Sequence, residues 1–258
     1  MSGVLAVAAA LPCGLLVGVL LGALGGGGSI LAVPALVYLL GQSPHEATAG
    51  ALIVVAVGAV TGLACHGRAG RVRWAAGAVF GALGTAGSYL GTRWSATLDP
   101  TVLMTAFAGL MLTVAGALVL RGRRAPTERP QAKGARRHPA RIAATASAVG
   151  LLTGFFGVGG GFVVVPALTL VLGLEMPVAI GTSLLVILVN SATALATRAG
   201  TGGLDWPLLA GFAACAAAGS YLGNRLATRL PAAALANAFA ALVTVVAVTM
   251  AVTAIPRL

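Results

Sequence analysis

The first charged residue of this chain is Glu46, and residues 3–41 form one uncharged apolar run. At about 1.5 Å per helical residue, such a run is about twice the length that crosses a bilayer core of roughly 30 Å. Of the 258 residues, 59% are hydrophobic and 8% are charged, whereas soluble domains have about 25% charged residues. This is too little polar surface for a soluble globule, so the sequence predicts an all-α, polytopic membrane protein that lies in a lipid bilayer.

The apolar sequence divides into candidate membrane segments that are separated by short polar stretches. These segments are 3–24, 28–41, 47–65, 74–92, 101–120, 142–156, 161–173, 177–197, 206–224 and 232–255. Segments 28–41 and 161–173 reach only about 20 Å as helices, and each comes after a glycine cluster. We therefore predict that these two segments are half-helices that end at membrane depth.

The sequence repeats itself with a shift of 132 residues and no gap. The shift matches rare residues in register: Pro34 with Pro166, Trp74 with Trp206, Tyr89 with Tyr221, and Arg93 with Arg225. Biased composition alone would not align such residues. The pattern predicts two homologous membrane repeats, 1–120 and 142–258, joined by a basic linker over 121–141. Internal duplication of this kind is typical of secondary transporters.

The chain has 16 Lys and Arg against 5 Asp and Glu, for a net charge of +11. Eight of the basic residues lie in the linker 121–141, where no aromatic residue accompanies them. Nucleic-acid binding is therefore not expected. We interpret the linker as a cytoplasmic segment that contacts anionic lipids.

The basic residues also bear on topology. With five segments in each half, 13 of the 16 Lys and Arg fall on one side of the membrane, in loops 66–73, 121–141 and 225–230. The positive-inside rule then places both termini outside and inverts the two halves. A rival arrangement, in which 3–41 crosses once, gives the same division of charge with both termini inside. The sequence thus predicts about 8–10 membrane segments, and length favours the inverted arrangement.

The glycine clusters are the first candidate binding site. The residues are Gly25, Gly26, Gly27, Gly28 and Ser29 in the first half, and Gly157, Gly159, Gly160 and Gly161 in the second. Free N–H groups at a helix start, with the positive end of the helix dipole, bind anions. Two such starts facing one cavity would bind a small oxyanion without a buried Lys or Arg. The alternative is that the glycines only let helices pack or bend.

Three polar residues of segment 177–197 are the second candidate site: Thr182, Ser183 and Asn190. An Asn inside an apolar span is costly unless it is paired or faces water. These residues therefore either line a polar path or bond two helices together. The spans carry no Asp or Glu away from their ends, and the three Cys and three His are scattered. We therefore expect no catalytic residue, cofactor or metal site.

Three features together resemble the TauE/SafE family of membrane transporters, also called sulfite exporter proteins. They are the doubled glycine cluster with its proline, the stretch PVAIGTSL at 177–184, and the doubled GSYLG-x-R at 87–93 and 219–225. The resemblance covers the chain apart from the linker. It implies a multi-pass protein of the bacterial inner membrane that moves small sulfur-containing anions such as sulfite or sulfoacetate. It assigns no binding residues, and the four consecutive glycines of the first cluster depart from the spaced pattern of the second.

We therefore expect a secondary transporter that is not an enzyme and that favours export, because an anion leaving a negative cell interior gains about 2.3 kcal/mol per charge per 100 mV. A non-transporting membrane scaffold is the main alternative. An intramembrane serine protease is a weaker one, because Ser29 would need His45 or His66, which lie at segment ends. Assembly as a homo-oligomer stays open.

A reporter fused after Leu258 distinguishes the two topologies. We expect alkaline phosphatase to be active and green fluorescent protein to be dark at this position, because the inverted arrangement places the C-terminus outside. The opposite pair of signals would contradict that arrangement.

Overall fold

The computed structural model describes residues 3–99, 102–103, 105–107, 109–110, 112–113, 139–156, 161–197 and 206–254. The named α-helices of this part are α1 (Gly3–Leu24), α2 (Ser29–Pro34), α3 (Pro44–Arg68), α4 (Trp74–Ser95), α5 (Pro139–Phe156), α6 (Gly161–Val171), α7 (Met176–Thr197), α8 (Trp206–Ala227) and α9 (Ala232–Ala254). A 3₁₀ turn, Gly25–Gly28, precedes α2, and a π-helical turn, Ala35–Leu39, follows it. The described part contains no strand, which confirms the all-α prediction.

Several of these helices have the length and composition of membrane spans. Four helical stretches in the described part are long and apolar enough to cross a bilayer: Leu11–Tyr38, Pro44–Arg68, Met176–Thr197 and Trp206–Ala227. Two shorter apolar helical stretches accompany them, Ile142–Phe156 and Ala232–Val246. The prediction of a polytopic membrane protein is confirmed.

The chain reverses direction at the first glycine cluster. Gly25 has a φ of 67°, a left-handed conformation that glycine adopts at no steric cost and that commonly ends a helix. A Cβ atom at Gly28 would overlap the backbone at Val17 and Leu21. In a straight helix, residues 21 and 28 would lie about 10 Å apart. The stretch 11–38 is therefore a hairpin and not one rod, which favours a half-helix over a single crossing of residues 3–41.

Glu46, the first charge of the chain, caps α3. Its carboxylate accepts hydrogen bonds from the Ser43 backbone N–H, at 3.1 Å, and from the Ser43 hydroxyl, at 2.7 Å. The Ser43 oxygen accepts in turn from the Glu46 N–H. This capping box, with Pro44 in the first turn, starts the helix where the apolar run ends.

Two helix pairs, each with one helix from either half, form the closest contacts. In the pair α1–α8, a Cβ at Gly18 would overlap Ala216, and one at Gly22 would overlap Ser220. Because both numbers increase together, α1 and α8 run parallel. Because Gly18 and Gly22 have no side chain, the backbones of the two helices touch at these positions, as in membrane helix dimers.

The pair α4–α5 has the same contacts with the halves exchanged. A Cβ at Gly150 would overlap Gly84, and one at Gly154 would overlap Ser88. These positions are those of the α1–α8 contacts shifted by 132 residues. This pair is also parallel.

Contacts of α3 and α7 give the directions of the remaining long helices. The Ser220 hydroxyl of α8 donates to the Gly58 carbonyl of α3 at 2.8 Å, and Gly62 also lies beside Ser220. On the other side, Gly77 of α4 lies against Thr182 and Leu185 of α7. Further contacts along each pair keep α3 parallel to α8 and α4 parallel to α7.

The helices related by the 132-residue shift therefore run in opposite directions. His66 of α3 lies against Gly181 of α7, and Gly62 lies against Leu184, so α3 and α7 are antiparallel. Thus α1, α3 and α8 point one way, and α4, α5 and α7 point the other. This is the geometry that inverted repeats require, while common ancestry of the halves and their limits at 1–120 and 142–258 stay predictions from the sequence.

The second half begins slightly earlier than predicted. Helix α5 starts at Pro139, so the last three residues of the predicted linker 121–141 are helical. Proline suits the first turn of a helix because it lacks the N–H that has no partner there. Residues 121–138 lie outside the described residues.

Glycine-to-alanine substitutions test the close helix pairs. We expect Gly18→Ala and Gly150→Ala each to lower the free energy of unfolding by about 1–3 kcal/mol, because a methyl group overlaps the facing backbone. Gly211→Ala in α8 is the control, since its Cβ would meet only Leu11, at 4.0 Å. Unfolding in mixed micelles with increasing sodium dodecyl sulfate measures all three. Equal stability of the three variants would contradict the pairing.

Candidate functional site

The two interrupted segments meet at one buried junction. A Cβ at Gly26 would overlap the backbone of Gly161, the first residue of α6, and the reverse also holds. A Cβ at Gly25 would lie 2.6 Å from the Ser183 hydroxyl oxygen of α7. Gly25 to Ser29 and Gly161 are all buried. Of the predicted site, Gly25, Gly26, Gly161 and Ser183 thus lie together.

The other predicted glycines either contact different elements or lie outside the described residues. Gly27 packs against apolar side chains, with Phe239 of α9 at 3.2 Å from its Cβ position, and Gly28 faces α1. Three residues of the second cluster, Gly157, Gly159 and Gly160, lie outside the described residues. The tight Gly26–Gly161 contact means that packing, the alternative role of the glycines, operates at this junction.

The junction offers hydroxyl and backbone donors. The Ser29 hydroxyl donates to the Gly26 carbonyl at 2.7 Å, and the Ser183 hydroxyl donates to the Ile180 carbonyl at 2.7 Å. Both bonds are local, so each hydroxyl can rotate toward a ligand without breaking a contact between helices. Helix α6 spans 11 residues from Gly161, and the first N–H groups of a helix have no partner within it. Neutral donors of this kind suit a small anion.

Thr182 does not join this junction. Its hydroxyl oxygen accepts from the Arg73 backbone N–H at 3.0 Å, and its methyl group lies 3.1 Å from the Cβ position of Gly77. Thr182 therefore faces α4 and holds the loop before it, whereas the next residue, Ser183, faces Gly25.

Asn190 is a second buried polar residue of α7 and lies about 10 Å beyond Ser183 along the helix. Its side chain is fully buried against Gly84 of α4. Neither its Oδ1 nor its Nδ2 has a hydrogen-bond partner in the described structure, and neither does the hydroxyl of Ser191. An unpaired buried polar group costs about 1–3 kcal/mol. The side chain therefore does not bond two helices together, and it is free to bind water or a ligand.

The repeated Ser-Tyr-Arg positions have a structural role. The Ser88 hydroxyl donates to the Asn190 carbonyl at 3.0 Å, which matches the Ser220–Gly58 bond after the 132-residue shift. The tyrosines point outward, with Arg93 stacked at 5.4 Å over the Tyr89 ring and Arg225 at 4.8 Å over the Tyr221 ring. Their exposure fits arginines that snorkel at the membrane interface.

Sequence reasoning missed His66. Its side chain is 1% exposed, and its Nε2 lies 3.0 Å from the Gly22 carbonyl of α1. The signal that could have identified it is an ionisable residue that directly continues the apolar segment 47–65. Within the described residues, no group of three or more His, Cys, Asp or Glu could hold a metal ion.

Comparison with known proteins agrees with this architecture. The family model described as sulfite exporter TauE/SafE matches residues 10–250. The chain belongs to the TauE/SafE family. Its apolar helices are thus those of a membrane transporter family, and the chain is a multi-pass protein of the bacterial inner membrane.

Curated relatives support the assignment. A "probable membrane transporter protein" of Xylella fastidiosa strain 9a5c is 37% identical over 218 residues, which cover 84% of this chain and 83% of the relative. The "probable membrane transporter protein YdhB" of Bacillus subtilis is 25% identical over 217 residues, 84% of this chain and 88% of the relative. No solved structure matches the chain. Membership makes the protein a membrane transporter, and the names of these relatives specify no substrate.

The buried polar contacts predict opposite effects of two substitutions on stability. We expect Ser88→Ala to lower the free energy of unfolding by about 0.5–1.5 kcal/mol, because a buried hydrogen bond is lost. Asn190→Leu should leave it unchanged or raise it, because no side-chain bond is lost and the unpaired amide is removed. Thermal unfolding in detergent measures both. Ser220→Ala removes the equivalent bond to Gly58 and should lower the stability as much as Ser88→Ala does. A large loss for Asn190→Leu would show that its amide is paired.

Proposed function

We propose that this protein is a secondary transporter that exports small anions, of which sulfite and organosulfonates such as sulfoacetate are the candidates. The observation that carries the proposal is the buried junction where the Gly25–Gly28 turn meets Gly161 and Ser183. We propose that this junction is the substrate site in a closed state. Family membership supports the transport activity, and the sequence resemblance supports the sulfur-containing class of substrate.

Electrostatics at the junction favour a small oxyanion. Helices α1, α6 and α7 carry no charged residue, so neither a Lys nor a carboxylate from them competes for the ligand. The partial positive charge at the start of α6 and the hydroxyls of Ser29 and Ser183 supply the attraction. Neutral donors can release an anion more readily than a buried Lys or Arg, because no strong ion pair has to be broken.

We propose that Asn190 and Ser191 form a second binding position for the anion on the same path. Their unpaired polar atoms lie farther along α7, and the Asn190 side chain lies against Gly84 of α4. In transporters with inverted repeats, the site lies between the halves and opens to each side in turn. Ser183 lies against the Gly25 turn and Asn190 lies against α4, so movement of α7 against these two elements of the first half would expose one residue and then the other. Thr182 would act as a hinge contact and not as a ligand.

Direction follows from the membrane potential. A divalent anion that leaves a cell with a negative interior gains about 4.6 kcal/mol per 100 mV. No other driving force is needed for net export, which agrees with the absence of carboxylates from the middle of the described helices. We further propose that the basic linker 121–141 contacts anionic lipids on the cytoplasmic side.

A non-transporting scaffold is the second candidate function, and the Gly26–Gly161 packing contact favours it. In that case the glycines and hydroxyls of the junction would matter only for stability. Transport measurements on variants that keep their stability distinguish the two functions.

Ser183→Ala provides this measurement. Loss of one hydrogen bond to a charged ligand costs about 1.5–3 kcal/mol, so we expect a fall in sulfite or sulfoacetate flux of about 10- to 100-fold in proteoliposomes. Thr193→Ala is the matched control. The Thr193 hydroxyl lies on the same helix and donates to the Val189 carbonyl of that helix at 3.0 Å. We expect this control to transport like the wild type. No flux of either anion from folded wild-type protein would refute the proposal.

A further inference from the structure

Among the described residues, His66 is an ionisable side chain that is buried beside the proposed substrate site. It bonds to Gly22, three residues before the Gly25 turn, and its Cβ lies 3.2 Å from the Cβ position of Gly181. Gly181 is flanked on α7 by Ile180, whose Cα lies 3.2 Å from the Cβ position of Gly25. His66 and the junction therefore contact the same turns of α1 and α7.

The hydrogen bond defines the protonation of the ring. A carbonyl oxygen only accepts, so Nε2 carries a hydrogen and donates it to Gly22. Nδ1 is buried and has no hydrogen-bond partner in the described structure. In the neutral ring, Nδ1 therefore has an unused lone pair, which is a site where a proton can bind.

The surroundings of His66 contain positive charge and no nearby carboxylate in the described elements that pack against it. Arg71 and Arg73 lie in the adjoining loop, and the Arg71 backbone N–H donates to the His66 carbonyl at 3.0 Å. Helices α1 and α7 have no charged residue, and the charged residues of α3 and α8 are Glu46 at the far end of α3, Arg68 and Arg225. The carboxylate next along the chain to α7 is Glu175, six residues before Gly181. A buried imidazolium here has no resident counter-ion, so its charge is costly unless an anion is present.

We propose that Nδ1 of His66 is a proton-binding site that couples one proton to each transported anion. The inference rests on the proposed function, since the anion at the junction is the counter-ion of the imidazolium. A proton from water binds the Nδ1 lone pair on one side of the membrane and returns to water on the other. The exposed residues Arg68, Ala69 and Gly70 lie within four positions of His66 and give a short route for the proton.

Coupling changes the charge that crosses the membrane. Sulfoacetate carries two negative charges, because its carboxylate titrates at about 4 and its sulfonate is a stronger acid. With one proton, the net charge moved is one negative charge. Export then still follows the membrane potential, but with about half of the driving force that the uncoupled dianion would have. Binding of the proton and of the anion strengthen each other, as linkage requires.

Proton movement in proteoliposomes tests this inference. Vesicles containing the full-length protein, pyranine and sulfoacetate are diluted into medium without the anion, with valinomycin and K⁺ to clamp the potential. We expect about one proton to leave the lumen with each sulfoacetate. In His66→Gln, which can still donate to Gly22 but cannot bind a proton, we expect this proton movement to be lost and any remaining flux to be independent of pH. His45→Gln is the matched control and should keep about one proton per anion, because His45 lies at the start of α3 and bonds to Ser95.

Each outcome has a definite meaning. Sulfoacetate efflux without proton movement in the wild type, or unchanged proton movement in His66→Gln, overturns the coupling and leaves the proposed transport intact. If only sulfite is transported, the difference between wild type and His66→Gln is the readout, because sulfite itself binds a proton near neutral pH. Loss of flux for both anions in folded wild-type protein refutes the proposed function, and the coupling fails with it. The wild-type measurement does not depend on whether the variant folds.

Discussion

The structure depends on two places where helix backbones touch without side chains between them. In lipid, apolar side chains gain little by leaving their surroundings, so close packing of small residues and hydrogen bonds hold helices together. Gly18 against Ala216 and Gly150 against Gly84 supply this packing. Each contact joins a helix of one half to a helix of the other. The halves are therefore interlocked, and neither contains its closest helix pair by itself.

The position of the junction follows from this interlocking. With α1–α8 and α4–α5 paired, the turn before α2 and the first residue of α6 meet at a buried contact inside the bundle and not in lipid. Irregular backbone, such as the Gly25 turn, is tolerated at membrane depth only where protein or water covers its polar groups. The Ser88 and Ser220 hydroxyls reinforce the same arrangement by donating to carbonyls of α7 and α3.

Much of the fold could be predicted because lipid leaves few alternatives. Apolar length identified the spans, and the glycine cluster identified the break at Gly25, since a left-handed turn inside an apolar run requires glycine. The start of α5 at Pro139 was missed because basic residues of the linker continue into its first turn.

The site was less predictable because it depends on which faces meet. Spacing alone placed Thr182 and Ser183 together, but adjacent residues of a helix point about 100° apart, and here they face different helices. Asn190 is unpaired because the residue across the interface is Gly84, which has no side chain to bond to it. The sequence of α7 alone does not reveal which residue lies across from Asn190. His66 was judged by its position at the end of an apolar segment, whereas α1 and the loop before α4 cover that end in space.

The outward tyrosine–arginine pairs have a consequence for the membrane around the protein. Helices α4 and α8 are antiparallel, so the Tyr89–Arg93 pair and the Tyr221–Arg225 pair lie at opposite faces of the membrane. Each of the two helices begins with an exposed tryptophan, Trp74 or Trp206. From Trp74 to Arg93 the helix rises about 28 Å, close to the thickness of the hydrocarbon layer. Aromatic and cationic groups thus contact both membrane interfaces, and the helix length fixes the distance between them. The bundle is therefore matched to one bilayer thickness, and a thicker or thinner bilayer would have to deform around it.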